Sequence, residues 1–183
     1  GKRIVLGVGN LKPSKGFDVL IKAIAHLRDS NPDLCCVIVG GGSEEPKLKR
    51  LIQHLGLKDV VEMVGAKSAE ETMAYMAACD IFCLPSWSEG FGIVYLEAMA
   101  HGKPVIAVQG QGITSIVTKN ETGILIPPHD SQAVANTIKS LIDNPQDSRQ
   151  MGSRGKNLIL KEFSLERGSD KMIGLYEQIL HNG

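Results

Sequence analysis

The segment Ser88-Glu89-Gly90-Phe91-Gly92-Ile93-Val94-Tyr95-Leu96-Glu97 sets two carboxylates eight positions apart, with a Gly-x-Gly between them. An apolar run, Ile81 to Leu84, precedes it, and an apolar helical stretch, Ile93 to Ala100, opens from it. A strand, a glycine-bearing turn and a helix N-terminus form an anion site. The first helical N–H groups lack intrahelical acceptors, and the helix dipole favours negative charge there. Glycines let the backbone approach a phosphate closely. The two carboxylates would repel that phosphate, so they suit hydroxyls on either side of it, such as a sugar and a ribose. The segment therefore points to a nucleotide-sugar site.

Glu97 is the odd residue of its helix, with Ile93, Ala100 and His101 as neighbours on its face. A buried carboxylate needs hydrogen-bond donors, and the two ribose hydroxyls would supply them; the plainer reading is a glutamate at a solvated helix edge. Glu89 lies on the loop, where it either orients a transferred sugar or merely complements the helix dipole. Lys15-Gly16 stands immediately before another helical stretch. A lysine at a helix start is electrostatically misplaced unless an anion is present, and with one it becomes a point-charge phosphate ligand. Gly7-Val8-Gly9 carries half of a Gly-x-Gly-x-x-Gly fingerprint, since position 12 is lysine, and no Walker motif occurs. Both facts count against an NAD or ATP site of the usual type.

The elements that must position these groups alternate. Arg3–Val8, Leu34–Val39, Val60–Val64, Ile81–Leu84, Val105–Val108 and Gly123–Ile126 read as strands. Between them run helical stripes: Phe17, Leu20, Ile21, Ile24 and Leu27; Leu48, Leu51, Ile52 and Leu55, with Gly56 as C-cap; Ala69 to Ala78; and Ile93 to Ala100. One helical turn is expected from Ile113 to Thr118. Asp130 is an N-cap for the helix carrying Val134, Ile138, Leu141 and Ile142, and Pro145 to Leu180 reads as two helices broken near Phe163-Ser164. Short, nearly continuous apolar strands alternating with helices predict an α/β fold: a Rossmann-like parallel sheet of about six strands with helices on both faces. Ligands of such sheets bind outside the carboxyl ends of the strands, where the glycine-bearing turns at 7–9, 40–42, 65, 90–92 and 110–112 fall.

Composition excludes several classes. The 20 basic and 20 acidic residues cancel, and no block of five like charges appears, which argues against a nucleic-acid partner. No apolar run reaches membrane-spanning length, and no signal peptide opens the chain, so a cytoplasmic location is expected. The chain begins at Gly1 without methionine and is read as an excised piece. Cys35, Cys36, Cys79 and Cys83 have no metal-ligand spacing and read as buried thiols. With no Asp-x-Asp and no His-Glu-x-x-His, neither a metal site nor a cofactor is expected.

Leu84-Pro85-Ser86, Glu89-Gly90-Phe91-Gly92, Glu97-Ala98-Met99-Ala100, Gly102 and Pro104-Val105-Ile106, in this spacing, resemble the signature of GT-B glycosyltransferases of the glycogen-synthase-like, group 1 (GT4) type. Lys15-Gly16-Phe17-Asp18, Val37-Ile38-Val39-Gly40 and Gly123 to Asp130 match further segments in the same order, so the resemblance covers nearly the whole chain. It implies transfer of a sugar from a UDP- or GDP-type donor to a glycan, lipid-linked or small-molecule acceptor, with retention and without a metal. Glu89 would lie against the sugar and Lys15 would neutralise the departing phosphate. The N–H groups of Gly90, Phe91 and Gly92 would hold the diphosphate, with Gly9, Asn10 and Ile93 also at the donor. Glu97 would take the ribose, and the base would sit near Val64, Gly65 and Lys67. Two positions depart from the family pattern: Asn10 stands where an arginine is usual, and Ser115 where an acid is common. The resemblance further implies that residues 1–183 form one domain, the C-terminal donor-binding half, with the N-terminal acceptor half absent. Such a half is expected to bind donor weakly and to transfer nothing alone. Peripheral membrane association of a full-length enzyme is compatible with this reading. Asn10 motivates a rival: a non-catalytic nucleotide-sugar binding or regulatory module on the same fold.

Overall fold

The computed structural model describes residues 1–90, 92–117 and 121–162. Six strands, β1 (Arg3–Val8), β2 (Leu34–Val39), β3 (Val61–Gly65), β4 (Ile81–Leu84), β5 (Val105–Val108) and β6 (Gly123–Ile126), form one sheet in the order β3-β2-β1-β4-β5-β6. Every pairing is parallel. The six-stranded α/β expectation therefore holds. The central strands are almost entirely buried, as parallel strands covered on both faces must be.

Among the described residues six α-helices cover the sheet: α1 (Phe17–Leu27), α2 (Glu45–His54), α3 (Ala69–Ala78), α4 (Ile93–Ala100), α5 (Ser131–Asp143) and α6 (Pro145–Glu162). Helix α1 packs against α2 and α5, and α4 packs against α3 and α6. The expected stripes face inward: Phe17, Leu20, Ile21, Ile24 and Leu27 on α1, and Val134, Ile138 and Leu141 on α5, are buried. Asp130 caps α5 by accepting the Ala133 N–H at 2.8 Å. Ser68 and Glu71 form a reciprocal capping box at the start of α3.

Two elements differ in their bounds from the sequence reading. Strand β3 runs from Val61 to Gly65, one residue later than expected at each end, after a turn in which the N–H groups of Val60 and Val61 both donate to the Leu57 carbonyl. The turn expected over 113–118 is a 3-10 turn at Gly112–Ser115; Thr118 lies outside the described residues. Helix α6 runs from Pro145 to Glu162, and the expected break and second helix lie outside the described residues.

The order of strands reverses between β1 and β4, so the chain leaves these adjacent strands toward opposite sides and opens a crevice between their following loops. The loops are sewn together. Trp87 N–H and the Ser86 hydroxyl both donate to the Ser14 carbonyl, at 3.0 and 3.1 Å. Gly16 allows this approach: its φ is +71°, and a Cβ there would sit 2.2 Å from the Pro85 carbonyl oxygen. Beneath the crevice the buried Tyr95 of α4 donates its hydroxyl to the Leu84 carbonyl at 2.6 Å and stands edge-on to Phe82. Helix α4 is thereby pinned to the end of β4. Tyr95→Phe leaves that buried carbonyl without its partner and is expected to lower stability by about 1–2 kcal/mol, measured as a shift in urea unfolding.

Candidate functional site

The crevice collects the charged groups. Lys15 ends a 3-10 turn, Pro13–Lys15, that follows β1, and Gly16 then turns the chain into α1. Glu89 reaches across from the loop after β4, and Lys15 Nζ donates to Glu89 Oε2. Both side chains are mostly shielded, 20% and 13% exposed, so this pair is less screened than the exposed ion pairs of the surface. Along the sequence these residues read as ligands of separate partners, phosphate and sugar. In the fold each is the other's partner.

The backbone of Glu89 is held as well. Its N–H donates to Gln111 Oε1 at 3.0 Å, and its carbonyl accepts the Gly112 N–H at 3.3 Å. Three loops, after β1, β4 and β5, thus meet at one glutamate. The glycines around Gln111 stand out in the sequence, whereas Gln111 itself does not. A polar side chain set between two glycines after a strand is the signal that marks it.

Helix α4 opens at Gly92 with φ +74°, a conformation that favours glycine, and a Cβ there would lie 2.8 Å from the Tyr95 ring. Gly92 is thus required by the helix's own first turn. Gly90 is different: nothing lies within 4 Å of where its Cβ would be, which leaves open space beside the backbone. No side chain caps α4, and no acceptor among the described residues meets the amides of Gly90, Gly92, Ile93 or Val94. The helix mouth is electropositive. The Ile93 side chain, 64% exposed, stands at this mouth. Phe91 lies outside the described residues.

One turn into α4, Glu97 is half-buried. Its carboxylate has no hydrogen-bond or ion-pair partner among the described residues; only its backbone carbonyl is engaged, by His101 Nδ1 at 2.8 Å. Burial raises its pKa above the ordinary 4.5, and the nearby His101 partly counters the shift. The charged form therefore costs stability, and that cost appears as pH rises from the unfolded value through the folded one.

The remaining candidates share the same edge. Gly9 and Leu11 donate to the carbonyls of Val39 and Gly41 at 3.0 Å, which lays the loop after β1 along the loop after β2. Asn10 on this loop is exposed. Gly65 ends β3, two strands from β1, where its carbonyl accepts the Gly40 N–H at 2.9 Å. Lys67 pairs with Glu71 at 3.6 Å, and Val64 is half-buried. Ser115 closes the 3-10 turn after β5. An unforeseen contact lies beside Ser86: the Trp87 ring packs against His129, centroids 4.0 Å apart and planes tilted by 47°, with His129 at φ +60°. All four cysteines are free thiols, and burial pushes Cys79 up to about 12. Among the described residues no group of three or more His, Cys, Asp or Glu could hold a metal ion, and no helix is long and apolar enough to cross a membrane.

Fold and crevice together define a Rossmann-like α/β domain with an anion-competent switch point. The chain belongs to the family described as glycosyl transferases group 1, whose model matches residues 1–158. It is 35% identical to D-inositol 3-phosphate glycosyltransferase of Stackebrandtia nassauensis, over 94% of this chain and 41% of that protein. Sucrose-phosphate synthase from Thermosynechococcus elongatus superposes with a TM-score of 0.89 at 33% identity, covering 100% of this chain and 46% of that one. Anabaena HepE in complex with UDP superposes with a TM-score of 0.89 at 28% identity, covering 97% and 49%. The chain spans less than half the length of the curated relatives it matches, 46% and 41% for the kanosaminyltransferase of Streptomyces kanamyceticus and the Stackebrandtia protein.

Two outcomes are expected. If the crevice takes a nucleoside diphosphate, Glu89→Gln, which breaks the ion pair and frees Lys15, should tighten its binding roughly fivefold, equivalent to about 1 kcal/mol, by calorimetry. If Glu97 accepts ribose hydroxyls as a carboxylate, nucleoside diphosphate affinity should fall as pH drops through a midpoint above 4.5, and Glu97→Gln should abolish that component of the pH profile.

Proposed function

We propose that this chain is the donor-binding, C-terminal half of a retaining glycosyltransferase that binds a nucleoside diphosphate sugar without a metal ion. The observation that carries this reading is the convergence at the β1/β4 switch point of Lys15, Glu89 and the start of α4, which no side chain caps, with the Glu97 carboxylate one turn away. That UDP is held by the neighbouring HepE structure supports the choice of ligand class.

In this reading the diphosphate sits at the mouth of α4 against the amides of Gly90, Phe91, Gly92 and Ile93. It draws Lys15 away from Glu89. Glu89, released, turns to the hydroxyls of the donor sugar, and Glu97 accepts from the ribose. Gly9 and Asn10 flank the diphosphate, and the base lies toward Val64, Gly65 and Lys67. Departure of the nucleoside diphosphate builds negative charge on the leaving oxygen. Preorganised N–H groups and one ammonium stabilise that charge in the transition state more than in the ground state. The departing phosphate oxygen can itself take the proton of the acceptor hydroxyl, so this half needs no separate general base. Asn10 contributes no charge, which leaves Lys15 and the helix mouth to neutralise the diphosphate. The acceptor is held by an N-terminal half, and the completed enzyme acts in the cytoplasm or at the cytoplasmic face of a membrane.

Calorimetric titration with UDP, GDP, ADP and NAD, with and without Mg²⁺, tests this. Metal-independent binding of one nucleoside diphosphate, with NAD silent, is the expected result. Binding of NAD alone, or of nucleoside diphosphate only with Mg²⁺, would overturn it.

A further inference from the structure

We propose that Gln111 is a positioning residue for Glu89, and that recognition of the donor's sugar, as distinct from its nucleotide, depends on it. The inference rests on the donor-site reading above. Glu89 belongs to no helix or strand, and its neighbours Ser88 and Gly90 are exposed. No described atom lies within 4 Å of where a Gly90 Cβ would be, so packing at that position does not fix the loop. A carboxylate on such a segment has a defined position only if its own peptide group is held.

Three contacts hold it, and they differ in what happens to them when donor binds. The Lys15 pair is the one a diphosphate would disrupt, because the phosphate competes for the same ammonium. The Gly112 N–H bond to the Glu89 carbonyl is long, at 3.3 Å. The Gln111 bond to the Glu89 N–H, at 3.0 Å, involves neither the carboxylate nor the cation. It therefore persists when Lys15 leaves. Gln111 is half-buried and precedes the 3-10 turn Gly112–Ser115 in an extended conformation, φ −102° and ψ 168°, so its backbone is continuous with an ordered element rooted in β5. A neutral amide also suits this position. A carboxylate in its place would repel Glu89, and an aliphatic side chain would leave the Glu89 N–H without an acceptor.

Two measurements on the present chain test this. Hydrogen exchange at the Glu89 amide should be slow in the wild type and at least tenfold faster in Gln111→Ala and Gln111→Met. An exchange rate unchanged in Gln111→Met, whose side chain fills similar space, would overturn the proposal. In calorimetry with the pairs UDP and UDP-glucose, GDP and GDP-mannose, and ADP and ADP-glucose, the pair that the wild type binds provides the second reading. Gln111→Ala should leave the nucleoside diphosphate within about twofold and weaken its sugar conjugate roughly five- to tenfold. Equal weakening of both would mean a general structural role and overturn the proposal. Failure of the wild type to bind any pair would overturn the donor-site reading instead, and Gln111's hold on Glu89 would then be decided by the exchange rate alone.

Discussion

The Ser14 carbonyl is where the crevice is closed. It takes two hydrogen bonds from the loop after β4, one from the Trp87 backbone and one from the Ser86 hydroxyl. Everything chemical in the site follows from that seam. It brings the 3-10 turn carrying Lys15 within reach of Glu89, and it requires a residue without a Cβ at Gly16 to let the Pro85 carbonyl approach. The seam itself exists because β1 and β4 are neighbours although two other strands lie between them in the chain. A parallel sheet that reverses its order at β1 must leave its loops diverging there, and only contacts between the two loops can close the bottom of the gap.

Charges at this seam are balanced within the chain. Lys15 and Glu89 neutralise each other in a partly shielded setting, while the mouth of α4 stays open and electropositive. An anion that enters can take both the helix amides and the lysine, and in doing so it uncovers the carboxylate. In the proposed reading, ligand binding and exposure of Glu89 are thus linked through one shared ammonium. Glu97 is poised differently: burial disfavours its charge, no described donor satisfies it, and hydroxyls that donate to it would relieve both conditions.

Packing keeps this arrangement rigid from below. Tyr95 ties α4 to the end of β4, and α6 packs across α4 on the outer side. Helix α4 is only eight residues long, too short to hold its direction by its own hydrogen bonds. Its aim at the crevice is a consequence of tertiary contacts, chiefly a tyrosine hydroxyl and an aromatic edge contact with Phe82.

The sequence by itself determined the strands, the helical stripes, the parallel α/β class and the edge on which the glycine-bearing turns gather. These are matters of period and of punctuation: Val, Ile and Leu runs of strand length closed by glycine, stripes such as Phe17 to Leu27, and an N-cap such as Asp130 are local signals. It also marked Lys15, Glu89 and Glu97 as candidates, because a charge in an apolar or glycine-rich setting stands out along the chain. Only the tertiary structure decided that Lys15 and Glu89, 74 positions apart, are partners, that Gln111 and Ser14 hold the loops, and that Trp87 meets His129. Those contacts join loops from different strands, and a loop's neighbours are set by strand order rather than by any periodicity within it. Gly92 shows the same division at one residue. Its place before a helix was legible, but the Tyr95 ring that would crowd a Cβ there takes its position only when α4 is packed against β4.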